Sequence, residues 1–176
     1  SLKLGGSALA QTLNKLGNEV PTVTDAEYFR DTFNSVQELI EKGLILAGHD
    51  ISAGGMITAL LEMCFADVNL GAKIDFSIFE EKDIVKYLFA ENIGIVFQAK
   101  NDEILENKLK DSNVSFYKIG SVTSNETLDF GDLTFDIKKY RDIWYKTSFL
   151  LDSKQSKNGT AQERYNNYKN QPLTYI

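Results

Sequence analysis

Apolar residues recur at Phe29, Phe33, Val36 and Ile40, at intervals of four, three and four, which is the period of a helix. Thr24 or Asp25 can cap that helix, and Gly43 stands where glycine commonly closes one. Before it, Leu2–Leu4 reads as a strand end and Gly5-Gly6 as a turn. Ser7 then caps a helix through Leu16 with Leu9, Leu13 and Leu16 along one face. After Gly43 the apolar run Leu44-Ile45-Leu46-Ala47 predicts a buried strand. The next helix carries Ile57, Leu60, Leu61, Cys64 and Phe65 on one face. Further along, the pattern predicts strands over Ala72–Phe76, Ile93–Ala99 and Val114–Val122, and helices over Asp83–Ala90 and Asp102–Lys110. Glu126–Phe130 and Leu133–Ile137, joined by Gly131-Asp132, form a hairpin. Lys138–Leu151 is a helix bearing Tyr140 and Trp144. Ser153–Thr160 is polar and linker-like, Ala161–Lys169 is a weak helix, and Gln171–Ile176 is extended.

Strands alternating with helices, plus one local hairpin, predict an α+β fold: a three-layer α/β/α sandwich with a mixed sheet. The hairpin requires an antiparallel pair and argues against an all-parallel doubly wound sheet.

The chemistry concentrates between the Leu44–Ala47 strand and the following helix, in His49-Asp50-Ile51-Ser52-Ala53-Gly54-Gly55. First-turn amides of a helix lack intrahelical partners and face the positive end of its dipole, so such a turn can receive an anion. A carboxylate just before it can hold a divalent cation against the same phosphate. On this reading Asp50 is a metal ligand, and Ser52, Gly54 and Gly55 surround a phosphate. The plain alternative is a tight turn in which Asp and Ser cap and Gly relieves strain. The segment matches neither the Walker pattern nor GxGxxG. His49 is the single histidine; it is a candidate general base or a hydrogen-bonded structural residue, and no second histidine exists to build a zinc site. Gly5-Gly6-Ser7 is either ordinary helix initiation or a second set of amides near the same ligand. Glu62, amid apolar positions, and Glu91, in a polar turn before a strand, are the other acidic residues of interest. Cys64 lies on an apolar face and reads as a small core hydrophobe.

Bulk properties narrow the classes. A length of 176 residues suffices for one domain with a real core. The net charge of −6 argues against broad nucleic-acid or membrane-surface binding. One cysteine excludes an internal disulfide, and no apolar run approaches the roughly 20 residues of a membrane span. With no signal peptide and no initiator Met, the expectation is a piece of a longer cytoplasmic protein.

Three segments, in order, resemble one family. His49-Asp50-x-Ser52-x-Gly54-Gly55-Met56 with Glu62-Met63-Cys64-Phe65-Ala66, the segment Leu4-Gly5-Gly6-Ser7-Ala8-Leu9-Ala10-Gln11, and the Trp-containing helix Tyr140–Leu151 are similar to segments of phosphoribosylformylglycinamidine synthase in its long single-chain form. The His-Asp turn alone is shared with aminoimidazole ribonucleotide synthetase and selenophosphate synthetase. The resemblance implies the C-terminal subdomain of the second synthetase repeat over residues 1–152, with 153–176 as a linker toward a glutaminase domain. It implies a fold like that of the aminoimidazole ribonucleotide synthetase C-terminal domain. It further implies an ATP-dependent ligase that makes formylglycinamidine ribonucleotide from formylglycinamide ribonucleotide and glutamine in purine synthesis. Asp50 would be a magnesium ligand, and Ser52 would contact an auxiliary ATP or ADP. The partners would be the remaining synthetase subdomains and the glutaminase domain of the same chain.

Ala53 stands where the family commonly has Asp, and Met56 where it has Leu. The other nucleotide-facing pieces are absent, so the segment alone is expected to be inactive and to hold neither nucleotide nor metal tightly. Two alternatives stay open: a freestanding phosphate- or protein-binding module, and the C-terminal half of another synthetase of the superfamily.

Overall fold

A computed structural model describes residues 2–80, 83–100 and 102–170; the predicted extension over 171–176 lies outside the described residues. Ser7 caps α1 (Ala8–Thr12) by accepting the Ala10 amide. The helix stops short of the predicted Leu16, because Asn14 and Gly17 take left-handed backbone. Leu13 and Leu16 are exposed, and only Ala10 of α1 reaches the interior. Leu2–Leu4 forms no strand; the chain instead turns so that the Gly5 amide donates to Glu19 and the Gly6 amide to Leu16.

α2 (Ala26–Glu41) is capped by Asp25, whose carboxylate accepts the Tyr28 amide at 2.9 Å. Its apolar stripe is only partly used. Val36 and Leu39 are buried, whereas Phe29, Phe33 and Ile40 are exposed. Leu39 packs on α5 (Asp102–Asp111), a helix charged along most of its length. Leu39, Leu105, Leu109 and Val114 form one apolar cluster.

β1 (Ile45–Asp50) pairs antiparallel with β3 (Ile95–Ala99). α3 (Gly55–Phe65) follows β1 and buries Ile57, Ala59 and Leu60. β2 (Gly71–Ile74) pairs antiparallel with β4 (Gly120–Thr123) and parallel with β5 (Thr127–Asp129). β5 turns through Gly131 into β6 (Thr134–Asp136), as the hairpin pattern predicts. α4 (Ile84–Phe89) is capped by Asp83 and buries Leu88. Ile57, Leu60, Ile74, Leu88 and Leu128 make the second apolar cluster.

The fold is α+β with a mixed sheet, as predicted. The strands divide, however, into a two-stranded pair, β1-β3, and a four-stranded sheet ordered β4-β2-β5-β6. The predicted strand over 114–122 is realised only at Gly120–Thr123; Val114 turns into the Leu39 cluster instead. A cavity of about 490 Å3 lies between β3 and the 116–122 stretch, walled by Leu60, Met63, Cys64 and Ile74. β3 serves both interiors. Val96 packs on the Ile57 cluster, and Phe97 and Ala99 pack on the Leu39 cluster, as side chains alternate across a strand.

α6 (Ile137–Gln155) starts at the Asp136 cap with Ile137 fully buried. α7 (Thr160–Asn167) and a 3-10 turn at Tyr168–Asn170 fold back on it. Tyr145 stacks on Tyr168 and Phe149 on Tyr165, with ring centroids 3.8 and 4.3 Å apart. Arg164 meets Asp152 at 2.7 Å. Asp142 receives Lys169 at 2.7 Å and the Tyr168 hydroxyl. The Ser156 hydroxyl and Arg164 hold the Asp152 carboxyl below its usual range. Burial pushes the Asp142 carboxyl up, but hydrogen bonds from Lys169 and Tyr168 outweigh it and leave it low. Burial, reinforced by Asp142, pushes the Tyr168 phenol well above its ordinary value.

Candidate functional site

The turn between β1 and α3 is built on two left-handed glycines. Gly54 has φ 91° and Gly55 φ 77°. A Cβ on Gly54 would lie 2.3 Å from Thr58 Oγ1, and one on Gly55 2.5 Å from the Leu88 carbonyl oxygen. Both positions therefore need glycine for backbone conformation and for space. The Gly55 position also sets α3 directly against the end of α4.

The Gly54 and Gly55 amides are already engaged. Gly55 donates to the Ser52 carbonyl at 2.9 Å. Gly54 donates to Glu91 Oε1 at 2.8 Å, and the same oxygen accepts the Ala8 amide at 2.7 Å. Glu91 thus joins the two glycine turns, Gly5–Ala8 and Ser52–Gly55, through one carboxylate oxygen. The two turns are adjacent, as the second-amide reading of Gly5-Gly6-Ser7 requires, but what lies between them is a side chain of this chain. Sequence reasoning placed Glu91 in a polar turn and missed that role. The signal available was a single acidic residue directly after the apolar Leu88-Phe89-Ala90.

Asp50 and Ser52 remain outward. The Asp50 side chain is 78% exposed, and Ser52 is exposed. The His49 ring reaches toward Glu62 while its Nδ1 stays 3.6 Å from Asp50 Oδ1. Its Nε2 lies 3.0 Å from Glu62 Oε2 and its Nδ1 2.7 Å from the Asp50 carbonyl oxygen. Glu62 Oε1 also accepts the Trp144 indole N–H at 2.7 Å. β1, α3 and α6 are therefore tied by a His49–Glu62–Trp144 chain. Both ring nitrogens of His49 face oxygens, which is the arrangement of a structural cross-tie; serving as a base would require one contact to break. Trp144, exposed overall, packs on Phe65 at 5.7 Å and gives its indole N–H an acceptor in Glu62.

Burial raises the Cys64 thiol above its usual range, so it is a poor nucleophile, in line with its reading as an apolar residue. It lines the inter-sheet cavity, whose wall includes none of His49, Asp50, Ser52, Gly54, Gly55 or Glu91.

Magnesium takes oxygen ligands, typically carboxylates and phosphate. Asp50 can supply one such oxygen. No group of three or more His, Cys, Asp or Glu side chains that could hold a metal occurs among the described residues. The chemistry of Asp50 fits a magnesium ligand, and the remaining ligands would have to come from elsewhere.

Comparison with known proteins gives a consistent result. The family described as AIR synthase related protein, C-terminal domain, matches residues 1–131. A probable phosphoribosylformylglycinamidine synthase, chloroplastic/mitochondrial, from Arabidopsis thaliana is 37% identical over 166 residues, covering 87% of this chain and 11% of that protein. Phosphoribosylformylglycinamidine synthase from Dictyostelium discoideum is 33% identical over 87% of this chain and 13% of its own length. The chain therefore spans about an eighth of these relatives. Among solved structures, PurLQS from Thermotoga maritima aligns with a TM-score of 0.57 and 16% identity, over 76% of this chain and 24% of that one. T. maritima PurL complexed with ATP aligns at 0.52 and 15%, over 77% and 23%. At these identities the two structures speak for the fold.

Proposed function

Since the chain belongs to the AIR synthase related protein, C-terminal domain, family, we propose that it is one subdomain of an ATP-dependent, glutamine-using C–N ligase. The reaction is conversion of formylglycinamide ribonucleotide and glutamine to formylglycinamidine ribonucleotide in purine biosynthesis. Relatives carrying that enzyme's name at 37% and 33% identity support the reading. This subdomain supplies one edge of a nucleotide and magnesium site. The remaining synthetase subdomains and a glutaminase domain supply the rest, and the segment alone is inactive.

The observation that carries the site assignment is the exposure of the Asp50 carboxylate, 78%, beside the exposed Ser52 on a turn fixed by two glycines. Asp50 offers oxygen to the metal and Ser52 a hydroxyl to the nucleotide. Gly54 and Gly55 give the turn its shape and close approach, their amides being used within the chain. A solved relative described as complexed with ATP is consistent with a nucleotide-binding family. No helix among the described residues is long and apolar enough to cross a membrane. The compartment we favour is the cytoplasm; the plant relative is described as chloroplastic/mitochondrial.

Asp50→Asn in a full-length synthase carrying this segment tests the assignment. It keeps the side-chain volume and removes the charge. Magnesium-dependent retention of ADP is expected to fall by about tenfold or more. Unchanged ADP content would refute the role of Asp50.

A further inference from the structure

We infer that Glu91 is a positioning residue for the ligand turn, an inference that rests on the reading of Asp50 and Ser52 just given. One carboxylate oxygen accepts two main-chain amides, Ala8 at 2.7 Å and Gly54 at 2.8 Å, from segments 83 and 37 residues away. Such bonds to a charged acceptor are stronger than neutral ones. Each end of the clamp is itself rigid. On one side Ser7 is 1% exposed, donates to the Leu4 carbonyl at 2.7 Å and accepts the Ala10 amide. On the other, Gly55 abuts Leu88 and Phe89 so closely that a Cβ would not fit. Glu91 leaves the same end of α4 two residues later, so its backbone and the start of α3 share one frame.

No side chain of α3's own N-cap residue closes its first turn. Glu91 instead holds the amide of that N-cap residue, Gly54, and at the same time holds the Gly5–Ala8 turn alongside. With Glu91 in place, the strand end at Asp50 and the helix start at Gly55 keep a fixed separation, and Asp50 and Ser52 are presented outward at a set spacing. Without it, two amides at the turn lose their acceptor and the Gly5–Ala8 segment is released from the Ser52–Gly55 turn. Glu91 touches neither metal nor nucleotide in this scheme; it acts through the backbone that carries the residues that do.

The test has two arms. In the 176-residue chain, amide hydrogen exchange is followed at Ala8 and Gly54 in E91A and E91Q. E91A is expected to raise exchange at both amides by about tenfold or more, with the β2–β4 ladder unchanged. E91Q keeps a carbonyl acceptor in place and is expected to restore protection. Should E91A fail to fold, E91D, which keeps the charge but loses the reach, carries the same comparison. In the second arm, magnesium-ADP affinity is measured on a full-length synthase carrying E91A, E91Q or D50N. Loss of about tenfold in E91A, rescued in E91Q at equal thermal stability, supports the positioning role. Protection of either amide in E91A overturns the clamp. Both amides open with affinity unchanged, while D50N weakens binding, overturns the positioning role and leaves the Asp50 reading standing. Indifference of affinity to both D50N and E91A removes the nucleotide reading and the role of Glu91 with it.

Discussion

Trp144 donates its indole N–H to Glu62 at 2.7 Å, and this bond fixes α6 to α3 at the point where Glu62 also holds His49. The Glu62 side chain is 24% exposed and that of His49 30%, so the junction is partly shielded from water. Removing the shared acceptor leaves two polar groups without their partner. Glu62→Ala is expected to lower unfolding free energy by about 1–3 kcal/mol. The single tryptophan of the chain reports it directly: its emission should change as the indole N–H loses its Glu62 acceptor, before global unfolding. A loss of stability no greater than a few tenths of a kcal/mol would mean that the chain of contacts contributes little.

The two kinds of left-handed glycine should separate cleanly. At Gly131 the space around a Cβ is open, while at Gly55 it is filled by the Leu88 carbonyl. Gly131→Ala carries only the backbone cost of about 1–2 kcal/mol. Gly55→Ala adds a backbone overlap and is expected to cost at least about 3 kcal/mol. Denaturant midpoints of the two variants make the comparison, and equal losses would contradict the tight approach of α3 to α4.

Docking of α7 on α6 should depend on pH at both extremes. Asp142 and Asp152 are held below the ordinary carboxylate range. Their stabilisation is present above the unfolded value of about 4 and is lost as pH falls through the depressed folded values. Tyr168 is raised, so its contribution is complete below the ordinary phenol value of about 10 and is lost as pH climbs through the raised one. Near-ultraviolet circular dichroism of the stacked Tyr145–Tyr168 pair should be flat through neutral pH and fall at each end. Tyr168→Phe should remove the alkaline limb and keep the acid one.

Much of the fold was legible because local signals and burial agree in it. Ser7 and Asp25 cap the helices they precede, and the hairpin falls at Gly131-Asp132. The stripe Phe29–Phe33–Val36–Ile40 gave the helix correctly and left its covered part open. Periodicity identifies a helix and an apolar face, but which part of that face is covered depends on partners distant in sequence. Here only Val36 and Leu39 are buried, Leu39 against the leucines of α5. The helix over 102–110 hides its two buried leucines, Leu105 and Leu109, among more numerous charges. The 114–122 strand was overextended because β-favouring residues also suit a chain that dips into a core, as Val114 does.

The site was legible in its covalent parts and hidden in its tertiary ones. His49-Asp50-Ile51-Ser52-Ala53-Gly54-Gly55 announces a strand-to-helix turn by composition alone. What occupies the Gly54 amide, and which way His49 turns, is decided by Glu91 and Glu62. Nothing in their local spacing to the turn marks either as a partner.

The alternation of Val96 and Phe97 about β3 has a thermodynamic consequence. Two interiors joined through the slender β1–β3 ribbon and the 114–119 stretch, with a cavity between them, need not melt as one unit. The part containing α2 and α5 can loosen while α3, α4 and the four-stranded sheet stay intact, and the ribbon that divides them is the same one that carries Asp50 at its end. Breathing on one flank of the molecule would then reach the ligand turn as a small tilt of β1, without disturbing the glycines that shape it.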